Sequence, residues 1–211
     1  MNQIALPLDT RPAGASDSYI VTSANSEADH HLNNWQHWPN GTAILVGPAA
    51  SGKTAMASQF LRETDGLCFE AEKGFREEDL FHLWNKAQTE RKPLLILASR
   101  PVADWSVLLP DLQSRLAASQ LIEIGAPDEA LLTGLFQKYF AMRGTTISEE
   151  ALSWLVRRME RSYQDVQILA QRMDRLAIER KKPVTRNIAQ EALRSYQDEG
   201  HAIGTENLAD K

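Results

Sequence analysis

The sequence is short of several things, and each shortage closes off a class. A single cysteine, Cys68, stands among 211 residues, so neither a disulfide framework nor a cysteine-ligated metal cluster can be built. The five histidines are scattered without ligand spacing, and His30-His31 reads as a solvated pair. No apolar run is long enough to span a bilayer, and no charged-then-apolar leader opens the chain. A reducing, cytoplasmic setting is the expectation, with no membrane partner. Positive charge is in deficit: 23 Lys and Arg against 28 Asp and Glu leave −5. That excludes a protein that coats nucleic acid by bulk charge. What remains is 43% hydrophobic and 24% charged, the make-up of a soluble globular domain. The length suits one moderate domain, or one domain with a small appendage. No internal repeat is visible.

The most specific stretch is Gly47-Pro48-Ala49-Ala50-Ser51-Gly52-Lys53-Thr54, which fits the phosphate-loop pattern G-x-x-x-x-G-K-[ST]. An apolar, β-branched run at 42–46 leads in as a strand, and residues 54–62 lead out as a helix. Such a loop wraps phosphate oxygens with backbone N–H groups at a helix N-terminus, where the dipole favours negative charge. Gly47 and Gly52 are expected to take backbone angles closed to most residues. Lys53 would reach the terminal phosphates, and the Thr54 hydroxyl would sit on Mg²⁺. The plain alternative is a glycine turn that happens to carry Lys-Thr.

Residues 1–18 read as a tail, low in large apolar side chains. Inside it, Gln3-Ile4-Ala5-Leu6-Pro7-Leu8 is an extended peptide with spaced apolar anchors, suited either to a groove on another protein or to folding back on its own domain. Tyr19-Ile20-Val21 reads as a short strand or an anchored extended segment. Ser23 or Asn25 could cap a helix to about residue 35, and Trp35 and Trp38 read as core. Strands at 67–69, 94–98 and 121–124 alternate with helices at 77–90 and 108–118. That alternation predicts an α/β base with a parallel sheet over 19–126. Beyond Pro127 the period is helical only, with helices at 128–143, 148–159, 162–180 and 186–196, which predicts an α-helical lid over 127–196. Residues 197–211 read as a polar tail.

This layout resembles the AAA+ ATPases, and within them the Hda/DnaA-related family, bacterial regulators of replication initiation. The resemblance runs across most of residues 1–196. The peptide Gln3, Leu6, Pro7 and Leu8 is similar to the family's sliding-clamp-binding segment. Residues 47–54 resemble its Walker A loop, and 94–100 its sensor 1 strand. Leu109-Pro110-Asp111-Leu112-Gln113-Ser114-Arg115-Leu116 resembles the segment that supplies an arginine finger, with Arg115 in that place; a salt-bridged structural arginine is the plain alternative. The resemblance implies bound ADP or ATP with Mg²⁺, and DnaA and the DNA polymerase III sliding clamp as partners. It implies stimulation of ATP hydrolysis in DnaA rather than in the chain itself. Direct DNA binding is expected to be weak, because DnaA carries a helix-turn-helix module after its lid; Arg172, Arg175, Arg180, Lys181 and Lys182 read as a solvated helix face or a phosphate-positioning patch. Self-pairing through the tail peptide or the Arg115 edge stays open.

The departures are specific. Only one strand–helix unit fits between the loop helix and sensor 1, where the family has two. Glu70 then takes the place of the Walker B acid and second metal ligand, with Glu72 on the same strand face as the alternative, and a solvated strand end as the plain reading of both. The sensor 2 arginine falls at Gln164, which cannot pair ionically with phosphate; Arg161, about one helical turn earlier, is a substitute or a surface charge. Two other functions remain: a self-contained P-loop ATPase using Glu70 or Glu72, and a nucleotide-independent adaptor between clamp and partner.

Overall fold

The structure, a computed structural model, describes residues 19–71 and 75–206, the last seven of these by backbone alone. The tail peptide Gln3 to Leu8, and Glu72, lie outside the described residues. Two strands form the centre: β1 (Thr42–Val46) and β3 (Leu94–Ala98), in which every residue is buried. Their unbroken aliphatic sequences suit a parallel strand with helices on both faces. The sheet runs β2-β3-β1-β4, with β2 (Leu67–Ala71) and β4 (Gln120–Glu123) at the edges and every pair parallel.

Alternation along the strands sorts side chains to two cores. Ala43, Leu45, Leu95, Leu97 and Cys68 face α1 (Ser26–Asn33) and the loop helix α2 (Lys53–Glu63), where Leu32, Met56, Ala57 and Phe60 complete one cluster. Ile44, Val46, Leu94, Ile96 and Ala98 face α3 (Glu77–Glu90) and α4 (Pro110–Ala117), meeting Leu80, Ala87, Leu112 and Leu116. Trp38 is core: it stacks on Phe60 with ring centroids 5.2 Å apart, and its indole N–H donates to His31 O.

Beyond β4 the chain turns wholly helical: α5 (Glu129–Ala141), α6 (Glu149–Val156), α7 (Tyr163–Arg180) and α8 (Arg186–Glu206). They enclose their own core around Phe136, Phe140, Leu155, Leu169 and Met173. Three starts are capped by side chains. Asp128 accepts from Leu131 N, Ser148 from Ala151 N, and Ser162 from Asp165 N, each satisfying an N–H that the helix leaves unpaired. The alternation of strands and helices, and the change to helices alone beyond it, are thus both present.

Several boundaries differ from the sequence expectation. Tyr19-Ile20-Val21 is not a strand but an anchored segment. Asn25 stands before α1 without capping it; its side chain instead turns back to accept from Thr22 N and donate to Ile20 O. The helix stops at Asn33, short of residue 35. Helix α8 runs to Glu206 rather than residue 196, because contacts past the expected end hold it to α7. Tyr196 O–H donates to Asp165 at 2.9 Å, and Glu199 pairs with Arg172. Strand β2 continues through Glu70 to Ala71, so Glu70 lies within the strand rather than after it.

Burial, helped by the nearby Glu70 carboxylate, pushes the Cys68 thiol up to about 11, against a lowering hydrogen bond at the Phe69 backbone. Native protein at neutral pH is therefore expected to alkylate with iodoacetamide many-fold slower than the denatured chain, since only thiolate reacts. Equal rates would show that the β2 edge opens.

Candidate functional site

The loop between β1 and α2 has the backbone of an anion cradle. Ala50 and Gly52 take left-handed angles, φ 62° and 91°, which turn successive amides inward before the first turn of α2. Gly47, contrary to the sequence expectation, takes no left-handed angle; it is required for space instead, since a Cβ there would lie 2.8 Å from Ser51 Oγ and 3.0 Å from Ile124 Cβ. The Lys53 ammonium folds over the loop, donating to Gly47 O at 2.6 Å and Pro48 O at 2.9 Å. Pro48, Ala49, Ala50 and Thr54 are exposed. Ser51 is 6% exposed, and its buried hydroxyl has no partner, a cost left standing unless a ligand or water meets it. These residues fit a phosphate group.

The cleft beside the loop joins base to lid. A cavity of about 290 Å³ is walled by Pro48 and Ala49, by the β4–α5 connection from Ile124 to Pro127, and by Arg161, Ser162, Tyr163 and Gln164. The structure thus brings Arg161 and Gln164 to the loop's own cleft. Arg161 is paired there with Glu129 at 3.5 Å, while Gln164 presents a neutral amide.

Glu70 shares the α2 face of the sheet with Cys68 two residues earlier. Its strand is separated from β1 by β3, about 10 Å across two strand spacings. It is level with Leu97, one residue before the row formed by Val46 and Ala98. Thr54 lies at the start of α2 and Glu70 in edge strand β2, and no cluster of three or more acidic, histidine or cysteine side chains that could hold a metal ion occurs among the described residues.

Arg115 lies on the opposite face of the base, in a cage. Its guanidinium sits 4.0 Å from the Trp84 ring centre and 4.6 Å from that of Phe81. It donates to Asn85 Oδ1 at 2.8 Å and pairs with Asp111 one turn back. Its side chain is 21% exposed. The structure places Arg115 as a staple between α4 and α3. On the lid, Arg172 is tied to Glu199 and Ser195, and Arg180 to Glu191, so helix α8 neutralises part of the basic stretch.

Two site features escape sequence reasoning. Tyr163 opens lid helix α7, yet packs in the α2-side core of the base, 4% exposed with an unpartnered hydroxyl. The segment 19–25 straps base to lid: Ser23 Oγ and Ala24 N donate to Asp128 Oδ2 at 2.6 and 3.2 Å. Ile20 fills the notch at Gly134 of α5, where a Cβ would meet Ile20 Cδ1 at 2.9 Å. The Pro-Asp pair before α5 signals the cap but not its second use. The Ser23 hydroxyl, with the N–H of Leu131 and contacts from Thr22 and Ala24, holds the Asp128 carboxyl below its ordinary value against the opposing effect of burial. A depressed folded value means stability that is complete above about pH 4 and lost as pH falls through it. Asp128→Ala is expected to cost about 1 kcal/mol of stability, with the gap from wild type closing below pH 4 in denaturant melts.

The loop, the parallel sheet and the helices beyond it together make a fold of the AAA+ type. Its relatives narrow this. The sequence is 24% identical over 156 residues to the chromosomal replication initiator protein DnaA of Enterococcus faecalis, covering 70% of this chain and 35% of that protein. The fold matches domain III of the Thermotoga maritima replication initiation protein DnaA, with TM-score 0.68, 15% identity, and coverage of 88% of this chain and 98% of that one. It also matches AMPPCP-bound DnaA from Aquifex aeolicus, with TM-score 0.53, 14% identity, and coverage of 71% and 61%. No protein-family model matches the chain. The chain is similar in sequence to DnaA proteins and has the fold of DnaA domain III; it spans about a third of the length of the curated relatives it matches.

Proposed function

We propose that the chain is a regulator of replication initiation in the Hda mould. It clasps an adenine nucleotide, docks on the sliding clamp through Gln3, Leu6, Pro7 and Leu8, and stimulates ATP hydrolysis by DnaA through Arg115. The observation that carries the reading is the contrast within one cleft: a fully formed phosphate loop faced by a lid that offers Gln164. The relation to DnaA, including a DnaA described as AMPPCP-bound, supports an adenine nucleotide, ADP or ATP, as the ligand.

In this reading the loop amides and Lys53 hold the phosphates, and Ser51 gains the partner its hydroxyl lacks. Thr54, with Glu70 across the sheet, would hold Mg²⁺, which when bound would neutralise phosphate charge. Gln164 cannot supply the lid cation that would stabilise a transferring phosphoryl group, and Arg161, which lines the same cleft, is engaged by Glu129, so the nucleotide serves to fix the lid on the base.

Arg115 can act on DnaA only by leaving its cage. Ring contacts and a partly exposed ion pair are worth about 1–3 kcal/mol together. An arginine supplied in trans accelerates hydrolysis by about 10³-fold or more, which is about 4 kcal/mol. Release is therefore affordable within the transition state, and the cage keeps Arg115 folded away until a partner competes for it. The test is ATP hydrolysis by DnaA with clamp loaded on DNA, with wild type against a Gln3→Ala, Leu6→Ala double variant. The double variant is expected to lose clamp binding and most of the stimulation. Undiminished clamp binding would remove the docking assignment.

A further inference from the structure

Residues 19–25 hold two helices together that are far apart in the chain. One set of contacts fixes the segment to α1. Tyr19 O–H donates to Asp29, Asn25 closes the turn through Thr22 N and Ile20 O, and Ser26 N donates to Thr22 O at 2.9 Å. The other set crosses to α5. Ser23 Oγ and Ala24 N donate to Asp128, the residue that caps that helix. Ile20 lies in the notch at Gly134, with Cδ1, Cγ2 and Cγ1 at 2.9, 3.5 and 3.9 Å from where a Cβ would stand. Asp128 and Gly134 are about 9 Å apart along the helix axis. A helix held at one point can swivel; held at two, it has a fixed direction.

The direction of α5 decides the shape of the cleft beside the phosphate loop. The connection from Ile124 to Pro127, which leads straight into Asp128, forms one wall. Helix α7 packs on α5 through Phe136, Phe140, Leu169 and Met173, and its start, Ser162 to Gln164, forms another wall. Ile20, Ala24, Leu131 and Tyr163 meet in the same α2-side core, so the segment, α5 and α7 are seated together. A cleft kept closed before its ligand arrives needs no further ordering. One that is closed only part of the time loses affinity in proportion to the closed fraction.

We propose that residues 19–25 are a clasp that holds α5 and α7 closed beside the phosphate loop and so sets the nucleotide affinity of the cleft. Ile20 and Ser23 are its positioning residues: they act through α5. The proposal rests on the reading given above, in which the loop takes the phosphates of an adenine nucleotide.

The experiment is calorimetry on the full-length chain with two probes, ADP and pyrophosphate. Pyrophosphate occupies the loop alone, while ADP carries its nucleoside into the cleft. An Ile20→Ala, Ser23→Ala double variant is expected to lose about tenfold in ADP affinity and nothing in pyrophosphate affinity. Unchanged pyrophosphate binding shows at the same time that the variant is folded and its loop intact. An Ile20→Val, Ser23→Thr double variant keeps the notch filled and the hydroxyl in place, and should bind ADP within about twofold of wild type. Wild-type ADP affinity in the alanine variant, or an equal loss for both probes, would overturn the clasp while leaving nucleotide binding standing. A wild-type chain that does not bind ADP would overturn the reading and the clasp with it.

Discussion

Arg115→Ala is expected to return DnaA to its unstimulated rate of ATP hydrolysis, a fall of about 10³-fold from the stimulated value. Clamp binding and nucleotide binding should be unchanged. The variant also empties the cage, leaving Asp111 and Asn85 without their partner and the Trp84 ring uncovered. A stability loss of about 1–2 kcal/mol should follow, too small to unfold a domain of this size. The two effects separate in Arg115→Lys, which keeps the charge but cannot reproduce the planar fork. It should regain part of the melting temperature and little of the stimulation. An Arg115→Ala chain that melts lower yet stimulates fully would reduce Arg115 to the staple seen between α3 and α4.

The second large effect is at Lys53. Lys53→Ala is expected to weaken ADP and ATP binding about 30- to 100-fold in calorimetry, the loss of a charged contact to phosphate. It should also abolish nucleotide-dependent thermal stabilisation, which for wild type is about 2.7 kcal/mol at a hundredfold excess over the dissociation constant. Unchanged affinity would mean the loop is a relic, and would favour the adaptor. A wild-type chain that binds no nucleotide would do the same.

The loop, the buried strands and the lid were legible in the residues because each is local. Thr42–Val46 and Leu94–Ala98 are continuous apolar runs, the eight-residue loop is a pattern with its own flanks, and Ser148 and Ser162 cap the helices they precede. What was not legible joins residues far apart in the chain. Arg115 meets Trp84 and Asn85 some thirty positions back, and Glu77 reaches Leu108 at a similar separation. Ser23 bonds Asp128 across more than a hundred positions. Nothing in the local pattern around Arg115 distinguishes a caged arginine from a projecting one. Tyr163 escapes for a related reason: its position in α7 assigns it to the lid, while its burial assigns it to the base. Helix α8 passes residue 196 because Glu199 finds Arg172 on a neighbouring helix, a contact that a polar composition conceals.

The metal side of the site divides in the same way. Thr54 is fixed by the loop pattern. Glu70 depends on where β2 ends and on which strand lies beside it, and β2 proves to be the edge strand next to β3. An acid at that distance from the loop can take part through a metal ion, or stand as a solvated strand end. Glu70→Gln separates these: it should weaken Mg²⁺-dependent nucleotide binding if Glu70 helps hold the ion, and leave that binding unchanged if Glu70 is a solvated strand end.

Single-turnover hydrolysis of ATP bound to DnaA, with and without this chain and with clamp loaded on DNA, bears most directly on the central claim. The expected result is acceleration of about 10³-fold by the wild-type chain, while the chain incubated alone with ATP turns over negligibly. Steady hydrolysis by the chain alone, lost in Lys53→Ala and accompanied by no acceleration of DnaA, would contradict it and make the protein an ATPase in its own right.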